Sequence, residues 1–293
     1  MIEKLTGKSW DVALRERLFT PLGLSHTVTL PEEALLFRAA VGHLSSGSRE
    51  PESAPVWGLP RSVGPAGLLS AAASDVLAFA RLHLTGGLTT HGKRLLSQAS
   101  ADTMADKHAD LPDKHLLGDS WGLGWIRFDW DGHLVIGHDG GTIGQSAFLR
   151  LLPEEGLAVV LLTNGGSPRD LYHALYREIF AELAGVTVPK PFAPATTPPV
   201  VDPRRHIGVY ERASARTEVL LTEDGLRLRQ TLTGPLAELM AKPTEEHDLV
   251  PVSDTLFAFQ GPETQLWTPV TFYTLPTGEP YVHCGVRAAP KMS

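Results

Sequence analysis

Apolar residues along this chain recur first at helical and later at strand spacing, and the change falls near Trp121. Met1 to Gly7 reads as the end of a helix already in progress, closed by Gly7 as a left-handed cap. Ser9 is the N-cap of a second helix: Trp10, Leu14 and Leu18 repeat at its spacing, Asp11 sits in its first turn, and Pro21 ends it. Ser74-Asp75 opens an amphipathic helix through Val76, Leu77, Phe79, Ala80 and Leu82, stopped by Gly86-Gly87, and a short helix begins near Ser97. Between these, Leu30 to Pro65 is loop-rich, with Ser45-Ser46-Gly47-Ser48 at its centre. Irregular stretches of that length are functional or disordered.

Beyond Trp121 the pattern alternates. Gly122–Phe128 and His133–Gly137 flank Asp131-Gly132, and Ser146–Leu152 and Leu157–Thr163 flank Pro153-Glu154-Glu155-Gly156, which predicts two hairpins. Leu171 to Leu183 returns to helical spacing. Prolines at 189, 191, 194, 198, 199 and 203 then mark a stiff linker. Seven short apolar runs follow, from Ile207–Tyr210 to Tyr281–Val286, and predict an all-β barrel or sandwich. Its core is expected to draw on Val209, Leu220, Leu228, Phe257, Trp267, Phe272 and Val282. The expected division is therefore a mixed domain over 1–188, a linker over 189–203 and a β-barrel over 204–293.

Composition narrows the classes. The chain of 293 residues has room for one large or two ordinary domains, and its 42% hydrophobic and 20% charged content is that of a globular protein. A net charge of −7 argues against a broad nucleic-acid surface. The single cysteine, Cys284, excludes an intrachain disulfide and a cysteine-rich zinc site, and is expected in a strand. No apolar run approaches the roughly 18 residues of a membrane span. The N-terminus has charges where a signal peptide has its apolar core, so the expected location as encoded is cytoplasmic, while a full-length parent could be exported.

Candidate chemistry centres on Gly137-His138-Asp139-Gly140-Gly141-Thr142-Ile143-Gly144, read as a glycine-dense turn between strands. Gly140 and Gly141 permit close approach of another molecule, and the Gly141 N–H could face a developing oxyanion. His138 there can donate to a carboxylate or carbonyl, or tune a neighbouring base; the plainer alternative is a hairpin-end histidine bonded to backbone. No nucleophile accompanies it. Gly144-Gln145-Ser146-Ala147-Phe148 resembles a G-x-S-x-G elbow, but Phe148 replaces the second glycine and a strand follows where a helix is required. No serine precedes a lysine by three positions, the glycines lack the Lys-Ser/Thr of a phosphate loop, and no histidine pair has metal-ligand spacing.

Several segments together resemble the serine β-lactamase-like hydrolases, the group of class C β-lactamases, D-alanyl-D-alanine carboxypeptidases and related esterases. Ile2 to Ser9 looks like the helix after that family's Tyr-x-Asn motif, and Leu18-Phe19-Thr20-Pro21-Leu22-Gly23-Leu24 is similar to its "lFxPLGM" segment. Pro65 to Asp75 resembles "aGGLxSTaxDm", and Trp121-Gly122-Leu123-Gly124-Trp125 stands for Tyr-Gly-x-Gly-Trp. Gly137 to Gly144 looks like the third motif, Lys-Thr-Gly or His-x-Gly, followed by strands ending at Leu162-Thr163-Asn164. The resemblance covers about residues 1–185; the region after the linker more weakly resembles a lipocalin-like barrel appended to such hydrolases.

That resemblance implies an α+β fold, an incomplete β-lactamase-like domain followed by a small all-β barrel. It implies acyl transfer to water on an ester, amide or β-lactam substrate, of esterase or D-amino-acid peptidase type, without cofactor or metal. His138 and Gly141 would be catalytic, as electrophilic or substrate-anchoring side chain and oxyanion N–H, and Asp139 and Gly140 substrate-binding. Ser-x-x-Lys and Tyr-x-Asn, which supply attack and proton transfer in the family, do not occur in this sequence. The expectation is thus a truncated form inactive alone. The alternatives are a non-catalytic binding protein, or one half of a split enzyme whose N-terminal partner chain carries both motifs.

Overall fold

A computed structural model describes residues 1–44, 50–57, 61–238, 242–261 and 264–292. The serine-glycine centre of the first loop, Ser45 to Ser48, lies outside them. The chain divides into two compact units, Met1–Ala109 with Ser120–Pro189, and Asp110–Asp119 with Lys190–Ser293. Residues 189–203 carry no helix or strand.

In the first unit α1 (Ile2–Thr6) ends on Gly7 at φ 68°, and the Ser9 hydroxyl caps α2 (Trp10–Leu14) by accepting from the Val12 N–H. The sequence expectation that Pro21 ends this helix is corrected. The run continues through a π-turn at Arg15–Phe19 to Leu22 and stops at Gly23, φ 69°. A widened turn just ahead of Pro21 accommodates the residue that has no N–H to give. α3 (Ala73–Leu84) begins where expected. Its Asp75 carboxylate reaches back to the His26 N–H and the Thr27 hydroxyl, both at 2.8 Å. α4 (Gln98–Ala105) is capped by Ser97, and α5 (Pro168–Ala184) buries Tyr172, Tyr176 and Phe180 along one stripe.

Six strands form an antiparallel meander: β1 (Ala109–Asp110), β2 (Ser120–Trp121), β3 (Ile126–Trp130), β4 (His133–Thr142), β5 (Gln145–Leu152) and β6 (Leu157–Thr163), in the spatial order β6-β5-β4-β3-β2-β1. The expected glycine-dense turn is a second correction. Strand β4 runs on to Thr142, pairing Gly140 with Ala147 and Gly141 with Ser146, and the turn is only Ile143-Gly144. Glycine's weak strand preference yields because its N–H and C=O enter the ladder as any residue's do. Likewise Gly122 to Trp125 is a turn, not the start of a strand: the Gly122 N–H donates to the Trp125 carbonyl, and Gly124 takes φ 80°.

Among the described residues the second unit holds eight antiparallel strands in sequential order, β7 (Gly208–Arg212), β8 (Ala215–Thr222), β9 (Gly225–Leu232), β10 (Thr244–Pro251), β11 (Leu256–Gln260), β12 (Trp267–Thr274), β13 (Pro280–Cys284) and β14 (Arg287–Pro290). A bridge between Tyr210 and Lys291 brings the first strand to the last, so the barrel is nearly closed. Its core is Tyr210, Val219, Leu226, Leu228, Leu249, Phe257, Phe259, Val270, Phe272, Val282 and Ala289. Of the expected core, Leu228, Phe257, Phe272 and Val282 are there. Val209, Leu220 and Trp267 are only half-buried, because Tyr210, Val219 and Val270 hold the inward phase. One position of phase exchanges the faces of a strand.

Asp110 to Asp119 contributes Leu111 and Leu117 to the buried set of this unit, together with the fully buried Asp113. The Asp113 carboxylate accepts from the His115 N–H at 2.8 Å, and its other oxygen stands 3.7 Å from His283 Nδ1. Burial raises the Asp113 pKa and lowers that of His283, so both are pushed toward their neutral forms.

Candidate functional site

Alternation along β4 sets the site. His138 and Gly140 lie on one face of the strand and Asp139 on the other, and the sheet turns the Asp139 carboxylate inward. The His138 ring is exposed, stands 5.6 Å from the Trp121 ring, and bonds through Nδ1 to the Asp139 carbonyl oxygen at 2.6 Å. Asp139 Oδ1 accepts from Arg150 Nη1 at 2.7 Å, while Arg169 stands 3.6 Å from Oδ2. Grouped by sequence with the substrate-binding residues, Asp139 spends its carboxylate on the interior.

Arg150 is 1% exposed, the largest fully buried side chain among the described residues. Its guanidinium lies over the Phe128 ring at 4.2 Å and the Tyr172 ring at 5.0 Å, and also donates to the Leu149 carbonyl at 2.9 Å. A charge so placed needs a partner, and Asp139 is that partner. Gly137 stands opposite Arg150 in the ladder. A Cβ on Gly137 would fall 2.8 Å from Arg150 Cδ and 2.1 Å from the Leu149 carbonyl oxygen, so this glycine serves the arginine's packing and the strand's approach. Around the pair, burial raises the Tyr172 pKa, and burial with the nearby Arg169 and Arg150 charges lowers that of His173.

Gly140 and Gly141 differ from Gly137. A Cβ on Gly140 would meet only Ala147 Cβ at 3.7 Å, and one on Gly141 only the Gln145 carbonyl oxygen at 3.9 Å, both ordinary contacts. Neither has positive φ, and both are exposed. Among the described residues nothing in the fold requires glycine at either position, which leaves room for a molecule to come against the backbone. Gly144 in the following turn is tightly packed: its Cβ would fall 2.5 Å from the His43 nitrogen. The segment 40–43 is braced on this turn by Gln145 donating to the Ala40 carbonyl, Asn164 to the Val41 carbonyl, and the His43 N–H to the Asn164 carbonyl at 2.9 Å.

Of the sequence candidates, His138, Gly140 and Gly141 are neighbours at the free end of β4. Ser146 is the ladder partner of Gly141 and sits within a strand, with no histidine bonded to it among the described residues. Three residues escaped sequence reasoning as site components: Arg150, His43 and Trp121. A signal existed for Arg150, which falls in phase with the buried Phe148 and Leu152 along β5. His43 lay in a stretch read only as loop. Among the described residues no three His, Cys, Asp or Glu side chains gather as a metal site, and no helix is long and apolar enough to cross a membrane. The open cleft of about 390 Å³ in this unit, lined by Arg15, Phe19, Leu24, Val28 and Phe37 among others, contains none of the β4 residues.

Residues 1–183 match the family model described as Beta-lactamase. Penicillin-binding protein 4 of Amycolatopsis lactamdurans is 49% identical over 214 residues, 72% of this chain and 56% of that protein. Among solved structures, SurE superposes with a TM-score of 0.71 at 26% identity, covering 99% of this chain and 65% of SurE. SurE with D-Leu superposes with a TM-score of 0.67 at 25% identity, covering 99% and 64%. The chain thus spans just over half the length of Penicillin-binding protein 4 and just under two thirds of SurE.

Proposed function

The chain belongs to the β-lactamase family, and from that premise we propose that its β4 end is the substrate-holding wall of a serine-type acyl hydrolase acting on peptides, amides or esters of D-amino acids. The observation that carries this reading is the pair Gly140-Gly141, open, exposed and free of any demand from the fold, beside His138. A backbone without side chains lets an acyl group lie against the strand, and the Gly141 N–H would there meet negative charge growing on a carbonyl oxygen. His138 and Gly141 take the catalytic roles, Gly140 the close approach, and Asp139 acts from within. The D configuration is supported by SurE having been solved with D-Leu.

Attack belongs to a different element. Residues 1–293 contain neither Ser-x-x-Lys nor Tyr-x-Asn, so this polypeptide by itself is expected to bind and not to turn over. The test titrates D-leucine and L-leucine into the full chain and follows backbone amide shifts, then incubates it with ester and β-lactam reporters and a serine-directed phosphonate. Selective D-leucine shifts at Gly140 and Gly141, with no turnover and no adduct, are expected. Shifts that avoid β4 would remove the binding assignment. A stoichiometric phosphonate adduct on one serine, Ser146 being the first to check, would overturn the division of labour.

A further inference from the structure

His138 is the side chain at the open end of β4 best placed to meet a ligand, and its chemistry depends on which ring nitrogen holds the proton. Its Nδ1 lies 2.6 Å from the Asp139 carbonyl oxygen, an atom that can only accept. Nδ1 therefore carries the proton, and in the neutral ring Nε2 keeps its lone pair. The exposed ring offers that lone pair outward.

What holds the Asp139 carbonyl in place is less obvious, because the residue after it is Gly140. The orientation of the peptide between them depends on rotations at both residues, and glycine restrains its own least. Asp139 supplies the restraint. Its side chain is tied to Arg150 on β5, its backbone is paired opposite Phe148, and Arg150 is held between the Phe128 and Tyr172 rings. Asp139 is the last anchored side chain before two glycines.

We infer that the buried Asp139–Arg150 pair positions the strand so that His138 is kept as the Nδ1–H tautomer, and that the Nε2 lone pair of that tautomer selects substrates presenting an N–H donor, an amide end, over those presenting a free carboxylate. The inference rests on the proposed placement of substrate at Gly140-Gly141. A ring whose outward nitrogen accepts draws an amide N–H and repels a carboxylate, whereas a cationic side chain at that position would do the reverse. Arg150 and Asp139 are positioning residues, and His138 is the one that touches the ligand.

The tautomer can be read without any ligand. Nitrogen-15 NMR of the full chain labelled in histidine, at a pH where the His138 ring carbons have stopped shifting, should give the Nδ1–H pattern. Asp139→Asn should return a mixture of tautomers, and Arg150→Met should do the same if it folds. Binding is then compared between D-leucinamide and D-leucine at that pH, with at least tenfold tighter binding of the amide expected and a lower ratio in Asp139→Asn. An Nε2–H pattern in the unaltered chain overturns the inference whatever binds. An Nδ1–H tautomer that survives both substitutions overturns the positioning role. Equal or reversed binding at β4 overturns the selectivity, while binding of both ligands away from β4 is the failure of the proposed site itself.

Discussion

Replacing Arg150 by Met tests whether the buried pair holds the first unit together. The substitution removes a bond of 2.7 Å to Asp139, one of 2.9 Å to the Leu149 carbonyl, and the stacking on Phe128 and Tyr172, while Met fills most of the volume. Stripping one partner from a buried ion pair costs about 3–5 kcal/mol, most of it from the charge left behind. Here the residual charge is the Asp139 carboxylate, 11% exposed, and Arg169 at 3.6 Å remains to offset part of it. A loss near the lower bound, about 3 kcal/mol, is expected. For a domain of this size that is roughly a 6–12 °C fall in melting temperature. Asp139→Asn should cost a similar amount, because it strands the guanidinium. The double variant has no stranded charge and should sit well above the sum, with a coupling of about 2 kcal/mol or more. The assay is thermal unfolding by near-ultraviolet circular dichroism, with denaturant titrations giving the free energies. A single-variant loss below about 1 kcal/mol, or a double variant equal to the sum of the two, would refute the reasoning.

Among the described residues strand β6 pairs on one side only, with β5, and it carries no charge or proline from Leu157 to Thr163; an edge of that kind invites strand addition. The chain is expected to self-associate as concentration rises in light scattering, Leu162→Lys is expected to reduce it, and a monomer unchanged up to millimolar concentration would contradict the expectation. Limited proteolysis should cut between Val188 and Pro203, and the released barrel fragment should remain bound to the piece bearing Asp110–Asp119; separation of the two on a sizing column would show that this segment does not anchor there. Burial pushes the Cys284 thiol up to about 12 from an ordinary value near 9. A raised thiol leaves its contribution intact below the unfolded value and removes it as pH climbs from about 9 toward 12, because the unfolded chain ionises first. Since the residue is only half-buried, the loss by pH 11 is expected to be about 1–2 kcal/mol, and Cys284→Ala should flatten that slope in denaturant titrations followed from pH 8 to 11.

Element types were legible in the sequence wherever periodicity and turn or cap residues agreed, as at Ser9, Ser97 and Asp131-Gly132, and by spacing alone over Leu171 to Leu183. Phase and extent were less so. Alternation alone does not say whether Val209 or Tyr210 faces the barrel core, since both are apolar and the choice is made by neighbouring strands. The glycines of β4 hid a strand, because strand pairing acts through backbone groups that sequence does not display. The proposed site stood out only as a cluster of residue types at positions 138–141. Its interior did not: the partnership of Asp139 with Arg150 spans two strands, and only the placement of an arginine among buried positions hinted at it. Nor could the sequence give the association of Asp110–Asp119 with strands that follow some eighty or more positions later, where Asp113 comes to stand 3.7 Å from His283.

That late partnership has a consequence for the newborn chain. Asp113 leaves the ribosome 170 residues before His283, an interval of roughly 10–30 s at ordinary rates of synthesis. Throughout it Leu111, Leu117 and an aspartate destined for burial have nowhere to go, while the helices and most of the sheet around them can already form. Completion of the barrel is thus the event that withdraws a sticky stretch from the middle of an earlier-made unit.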